Sequence, residues 1–284
     1  MQRWGALDAA NHPGLQLTVA NATTSKGFEA LAKGTAQFCP SGRAAWPEEI
    51  KIFTDVTGYA PFRVTVARCT VDSKELPHPH AVFVSADNPL QRLTLTQIDA
   101  IFSKTRHRGY PEDITTWGQL GLTGEWTQQP IHLYGVSWAK GPSHFFAESA
   151  LQDGTFKDSV VTVNGEEDVL PKLAQDRYGI AYTGLPFTEP GTKHLAIAER
   201  AGAPYYAGTP ADIKADRYPL SRVIYVTVNR APGQPLAPAV KDYLAIALSP
   251  AGQKAAAVDG YLPLSPAQRA AQLARLETTA LHQP

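Results

Sequence analysis

The chain has 284 residues, 43% of them hydrophobic, which is enough to close one large core or two medium ones. The 26 basic residues balance 26 acidic ones, so no net field draws in nucleic acid or an anionic membrane, and any charge recognition has to be local. No apolar run approaches the roughly 18 residues of a membrane span, and the start lacks the basic-then-apolar profile of a secretory signal.

Strand and helix signals alternate along the chain, which predicts α/β architecture with largely parallel sheets. Residues 1–10 read as a helix, and 15–20, after His12-Pro13-Gly14, alternate like a strand. A polar loop, 21–27, then opens a short helix through Phe28, Leu31 and Ala32. Its Thr23, Thr24 and Ser25 are natural helix caps that can also offer hydroxyls to a ligand; capping alone accounts for them equally well. Phe38-Cys39-Pro40 is a short strand, followed by Ser41-Gly42-Arg43 and a helix opened by Pro47-Glu48-Glu49. Arg43, in a loop just after a strand, can grip a carboxylate or phosphate through its fork of donors, or can be salt-bridged within the fold.

Residues 64–67 form a strand, 68–80 an irregular excursion and 80–84 another strand, ended by the turn Asp87-Asn88-Pro89. Leu95, Ile98, Ile101 and Phe102 mark an amphipathic helix, and 116–120 a shorter one. The run from Ile131 to Phe146 carries the most information. An apolar strand breaks into Gly135-Val136-Ser137-Trp138-Ala139-Lys140-Gly141 and restarts as a helix at Pro142. Such a turn leaves the first backbone N–H groups of the helix unpaired and suited to anions. Lys140 adds charge before the helix start at Gly141-Pro142, Pro142 suits a first helical turn and Ser143 offers a hydroxyl. His144 reads as a packing residue beside Phe145 and Phe146.

Beyond this loop, Glu166, Glu167 and Asp168 open a helix carrying Val169, Leu170 and Leu173, and fill its positive end. Residues 178–182 and 223–228 are strands. Helices follow over 236–248, from Ser249-Pro250 to about Gly260, and from Ser265-Pro266; serine at the cap with proline at the first position is a strong start signal.

No metal site and no cofactor are expected. Cys39 and Cys69 lack the number and spacing of zinc ligands and read as buried free thiols, although strand ends placed side by side would permit a disulfide. His78 and His80, flanked by prolines, read as surface loop residues rather than ligands. Scattered aromatics without basic interleaving argue against nucleic-acid binding.

The ordered set of His12-Pro13-Gly14, Gly34-Thr35-Ala36, Pro47-Glu48-Glu49, Asp87-Asn88-Pro89-Leu90, the run from Leu95 to Ser103, Thr116-Trp117-Gly118, the run from Tyr178 to Ala181, that from Tyr218 to Arg222 and that from Asp259 to Leu264 resembles the substrate-binding proteins of ABC-type phosphate uptake, nearly end to end. The resemblance implies a type II, two-lobe periplasmic-binding fold, with lobe I at 1–84 and 222–284 and lobe II at 85–221, joined by crossover strands at 80–84 and 221–228. It implies a non-catalytic, monomeric, periplasmic protein that holds a small anion in a cleft and presents it to a membrane ABC permease. The ligand set it suggests is Thr23, Thr24, Ser25, Arg43, Lys140, Gly141 and Ser143.

The pattern departs from the family at three places. The family's first anion loop should precede Met1, which suggests a truncated or misplaced start. Val136 and Lys140-Gly141-Pro142 stand where phosphate binders carry an arginine and a Ser-Gly-Thr triplet, so a bidentate fork and a backbone donor are lost. Glu166-Glu167 replaces a glycine-rich loop facing the cleft, where a carboxylate repels phosphate unless it accepts a proton from a monobasic form. These changes keep open a ligand-degenerate adaptor or sensor of the same fold. An α/β serine hydrolase is the third class: Gly135-Val136-Ser137-Trp138-Ala139 approximates a nucleophile elbow, with Asp168 or Asp176 and His194 as partners.

Overall fold

A computed structural model describes residues 1–9, 17–20 and 22–278. In chain order, α1 (Gln2–Ala9), α2 (Thr24–Ala32), β1 (Cys39–Ser41), α3 (Pro47–Thr57) and β2 (Phe62–Arg68) lead to β3 (His80–Ser85), β4 (Arg92–Thr94) and α4 (Leu95–Phe102). After 3₁₀ turns at Trp117–Leu120 and Gly124–Trp126 come β5 (His132–Val136), α5 (Gly141–Leu151), β6 (Val160–Val163), a third 3₁₀ turn (Glu166–Asp168), α6 (Val169–Leu173) and β7 (Gly179–Gly184). The chain closes with β8 (Thr192–His194), β9 (Ala196–Ala198), α7 (Pro210–Lys214), β10 (Val223–Val228), α8 (Pro238–Leu248), α9 (Pro250–Val258) and α10 (Pro266–Glu277). His12-Pro13-Gly14 and the first half of the expected strand at 15–20 lie outside the described residues, and 17–20 carry no strand.

Two compact units result, residues 1–70 with 222–284, and residues 71–221. The first unit holds a three-stranded sheet in the order β1-β10-β2, antiparallel throughout. On it α1, α8, α9 and α10 enclose a core of Trp4, Val64, Val66, Val226, Tyr243 and Leu244. Ser249 and Ser265 cap α9 and α10 by accepting from the amides of Gly252 and Gln268, and proline occupies each first turn where its missing N–H costs nothing. A smaller cluster of Phe28, Leu31, Cys39 and Phe53 ties α2 and α3 together.

The second unit is built on a five-stranded sheet ordered β6-β5-β7-β3-β8, with a parallel pair β4-β9 beside it. Strands β6, β5 and β7 run parallel, and β3 lies antiparallel to β7 and β8. The α/β class therefore holds, but the expected predominance of parallel pairing gives way to mixed sheets. Alternating helix and strand signals cannot separate a crossover that returns parallel from one that returns reversed.

The proposed crossovers are also corrected. Residues 80–84 belong to β3, fully buried inside the sheet of the second unit, and 223–228 form the central strand of the first. The first boundary accordingly falls after Thr70 instead of at residue 84.

Cys39 and Cys69 are buried thiols not joined in a disulfide. Burial pushes the Cys39 thiol up to about 11, with the Glu49 charge adding to the shift and Arg43 opposing it. Native protein should therefore resist an aromatic disulfide reagent at neutral pH and react at both sites only after denaturant, because the thiolate is the nucleophile. Prompt labelling of the native chain would contradict this burial.

Candidate functional site

In the first unit, two of the residues expected to meet a ligand, Ser25 and Arg43, converge on Glu49. The Glu49 side chain is 2% exposed and that of Arg43 is 11% exposed. Arg43 donates from Nη1 to Oε2 at 2.8 Å and from Nη2 to Oε1 at 2.6 Å, while Ser25 donates to Oε1 at 2.7 Å and the Trp46 amide to Oε2 at 2.9 Å. The guanidinium also stacks on Trp46, 3.7 Å from the ring centroid. Burial alone would raise the Glu49 carboxyl, but hydrogen bonds from Arg43, Trp46 and Ser25 and the Arg43 charge outweigh it and hold the group below the usual carboxylate range.

The structure thus brings Arg43 and Ser25 together around an internal anion. The fork expected to grip a ligand grips Glu49. The Ser25 proton is committed as well, leaving its oxygen lone pairs as acceptors. Thr23 caps α2 by accepting from the Lys26 amide, and the Thr24 carbonyl faces the Cys39 thiol, with Sγ at 3.7 Å. A signal for this arrangement was present: an acidic residue at the third position of a helix reaches back to the segment before it, as in a capping box.

In the second unit, the loop between β5 and α5 follows the expected course, with Lys140 and Gly141 at the helix start and Lys140 exposed. The amides behave differently from the expectation. Ser143 N–H donates to the Lys140 carbonyl at 3.1 Å and His144 N–H to the same oxygen at 3.4 Å. Pro142 has none to give. The tight first turn thus folds inward the donors that an open helix end would present.

Ser143 is also removed from the ligand set. It is 2% exposed, and its hydroxyl donates to the Val136 carbonyl at 2.6 Å while accepting from Tyr182 at 3.0 Å. Those bonds pin α5 to β5 and β7. His144, expected to pack, is exposed.

A cavity of about 450 Å³ opens beside this loop, lined by Trp138, His144, Phe156 and Lys157 among others. Lys157 donates to the Ala100 carbonyl at 2.7 Å, so its charge is already engaged, and Trp138 packs on Phe156 with centroids 4.4 Å apart.

Glu166 is the largest departure from the sequence reading. Its side chain is 14% exposed, and Oε1 lies 3.3 Å from Nε2 of both His78 and His80. Burial would raise this carboxyl; hydrogen bonds and charge from the two histidines hold it far below the usual range instead. The loop residue expected to repel an anion turns inward onto two imidazoles, and these histidines, expected at the surface, are 3% and 0% exposed. Histidines flanked by prolines resemble an exposed loop because the pairing acid lies far off in sequence.

The hydrolase constellation does not assemble. Ser137 sits beyond the C-terminal end of β5, whereas Asp176 bonds His132 and Tyr134 at and near its N-terminal end. His194 lies on β8, the edge strand, against Phe83. Helix α5 starts at Gly141, several residues past Ser137, and not at the serine as an elbow requires. Among the described residues no cluster of three or more potential ligands forms a metal site, and no helix is long and apolar enough to cross a membrane.

A family model described as a PBP superfamily domain matches residues 4–251. The phosphate-binding protein PstS of Pseudomonas aeruginosa is 37% identical over 264 residues, covering 93% of this chain and 79% of that protein. Two solved structures share the fold. An ABC-type phosphate transport receptor from Vibrio cholerae aligns with TM-score 0.61 at 18% identity, covering 92% of this chain and 94% of the other. PstS from Borrelia burgdorferi aligns with TM-score 0.63 at 16% identity, covering 93% of each.

Proposed function

Because the chain belongs to the PBP superfamily, and within it to the family of the phosphate-binding protein PstS, we propose that it binds inorganic phosphate without chemical turnover and serves ABC-type phosphate uptake. The observation that carries this reading is the 37% identity sustained over 93% of the chain, since so long a match spans the elements of both units. The protein works in the periplasm as a monomer and hands its ligand to a membrane permease. Its candidate ligand groups are Thr23, Thr24, Ser25 and Arg43 in the first unit and Lys140 and Gly141 in the second.

The chemistry within each unit supports an anion ligand. Glu166 lies 3.3 Å from two histidine rings, which supply a compensating charge when they are protonated. Lys140 stands exposed at a helix start, where its charge adds to the positive end of the α5 dipole. In the first unit, Glu49 and the Ala44 carbonyl take three of the five Arg43 N–H groups and fix the direction of those that remain.

Thermal unfolding tests the reading. The melting temperature should rise steadily with inorganic phosphate and stay flat with equimolar sulfate or chloride, as mass action requires of a ligand that binds only the native state. Lys140→Ala should weaken phosphate roughly two- to fivefold without moving the ligand-free melting temperature, since an exposed charge acts mainly through screened attraction. A folded protein indifferent to phosphate would favour the adaptor reading, for which the inward-turned amides at Ser143 and His144 are the structural support.

A further inference from the structure

His78, His80 and Glu166 come from three places in the second unit: the irregular stretch before β3, the first residue of β3 and the 3₁₀ turn after β6. They meet at the end of the sheet where β5, β6 and β7 terminate, because His80 pairs with Gly184 at the end of β7. The geometry sets an acceptor against each nitrogen of the His78 ring. Nδ1 of His78 is 2.8 Å from the Leu76 carbonyl, which can only accept, and Nε2 is 3.3 Å from Glu166 Oε1. A ring with one proton satisfies one of these acceptors, and a ring with two satisfies both. The Nε2 atom of His80 is 3.3 Å from the same carboxylate oxygen.

The surroundings offer little else to balance the acid. Helix α5 contributes Phe145 and Phe146 against His80, and Phe187 packs on His78. From β7, Thr183 donates to the Glu166 backbone carbonyl, and the Tyr182 hydroxyl is turned toward Val136 and Ser143. Tyr218 donates to the His80 carbonyl, Lys74 lies over the Phe187 ring, and Glu167 folds back against Gly165. Among the described residues, the two histidines are the groups at hydrogen-bonding range of the Glu166 carboxylate that can carry positive charge.

We propose that His78, His80 and Glu166 form a proton-operated latch, which holds the turn after β6 against the start of β3 while the histidines are protonated and frees it when they are not. With the histidines neutral, a buried carboxylate keeps its charge without a counterion, and the turn relieves this by moving Glu166 toward water. The release reaches the loop between β5 and α5, because the Ser137 amide donates to the Val163 carbonyl at the end of β6. The latch goes beyond phosphate binding and is read without ligand.

Hydrogen exchange on the ligand-free full chain tests it. The Asp168 and Val169 amides, which donate to the Gly165 and Glu166 carbonyls, should lose protection about tenfold or more between about pH 5.5 and pH 8.5, after correction for intrinsic rates. Amides within β5 should not change. In Glu166→Gln the pH dependence should disappear, because no charge is left to strand. Protection that stays flat in the wild type would overturn the latch. Nitrogen-15 NMR of the imidazoles decides the matter without any variant: a His78 ring carrying a single proton at about pH 5.5 would overturn it too. A protein blind to phosphate would defeat the function proposed above and leave both measurements standing.

Discussion

Arg43→Ala lowers stability by about 3–5 kcal/mol, the cost of leaving a buried ion without its partner. The partner is Glu49, whose carboxylate accepts two bonds from the guanidinium and is 2% exposed. Among the described residues, alanine leaves this charge the Ser25 hydroxyl and the Trp46 amide, and it removes the cation stacked on Trp46. Urea denaturation with an unchanged slope measures the loss. Adding Glu49→Gln should return a large part of it, because a neutral amide in the same place no longer needs a counterion. If the double variant is as weak as the single one, stranded charge is not the cause.

The pH dependence follows from the same pair. Glu49 is held below the usual carboxylate range in the folded state. Its stabilisation is therefore complete above the unfolded value of about 4.3 and disappears as pH falls through the folded one. The gap between wild type and Arg43→Ala should narrow in acid. A phosphate-binding defect in Arg43→Ala must be compared with the double variant, since the single substitution disturbs the fold as well as any ligand contact.

Gly135→Ala should be comparably damaging. A Cβ at this position would lie 2.2 Å from Cε1 and 2.5 Å from Cζ of Tyr182. The ring cannot yield: it stacks on Phe146 with centroids 4.0 Å apart and planes 8° from parallel, meets Phe102 edge-on, and holds Ser143 through its hydroxyl. We expect a loss of about 3 kcal/mol, at the upper end of overpacking costs. The loop that begins one residue beyond Val136 should shift with it. Gly141→Ala is the matched control, with nothing within 4 Å of the added carbon, and should leave stability nearly unchanged. Tyr182→Phe should not rescue Gly135→Ala because the ring atoms in conflict remain, whereas Tyr182→Leu should recover part of the loss. Rescue by phenylalanine would place the conflict at the hydroxyl instead.

Local chemistry made much of the molecule readable in advance. The serine-proline starts of α9 and α10 and the strand-loop-helix passage from β5 to α5 depend on neighbours in sequence, and each stands where its residues indicated. What escaped depends on partners far away. Whether β3 joins units or pairs inside one is decided by β7, about a hundred residues later in the chain. Glu166 reads as an exposed repulsive acid until His78 and His80 are seen beside it, and Ser143 reads as a donor to ligand until Val136 and Tyr182 are seen to occupy it. Arg43 lay between these cases: six residues separate it from Glu49, close enough to suspect a pair and too far to assign one.

The strand order β1-β10-β2 bears on how the chain acquires its shape during synthesis. The middle strand of that sheet emerges from the ribosome last, long after the two it must join. Until then β1 and β2 each leave open backbone that would pair with any passing extended segment. The continuous stretch 71–221 can meanwhile complete its own core. Maturation should be two-phased, with a prompt central body and delayed outer segments, and the delayed phase is the interval in which a holding chaperone would matter most.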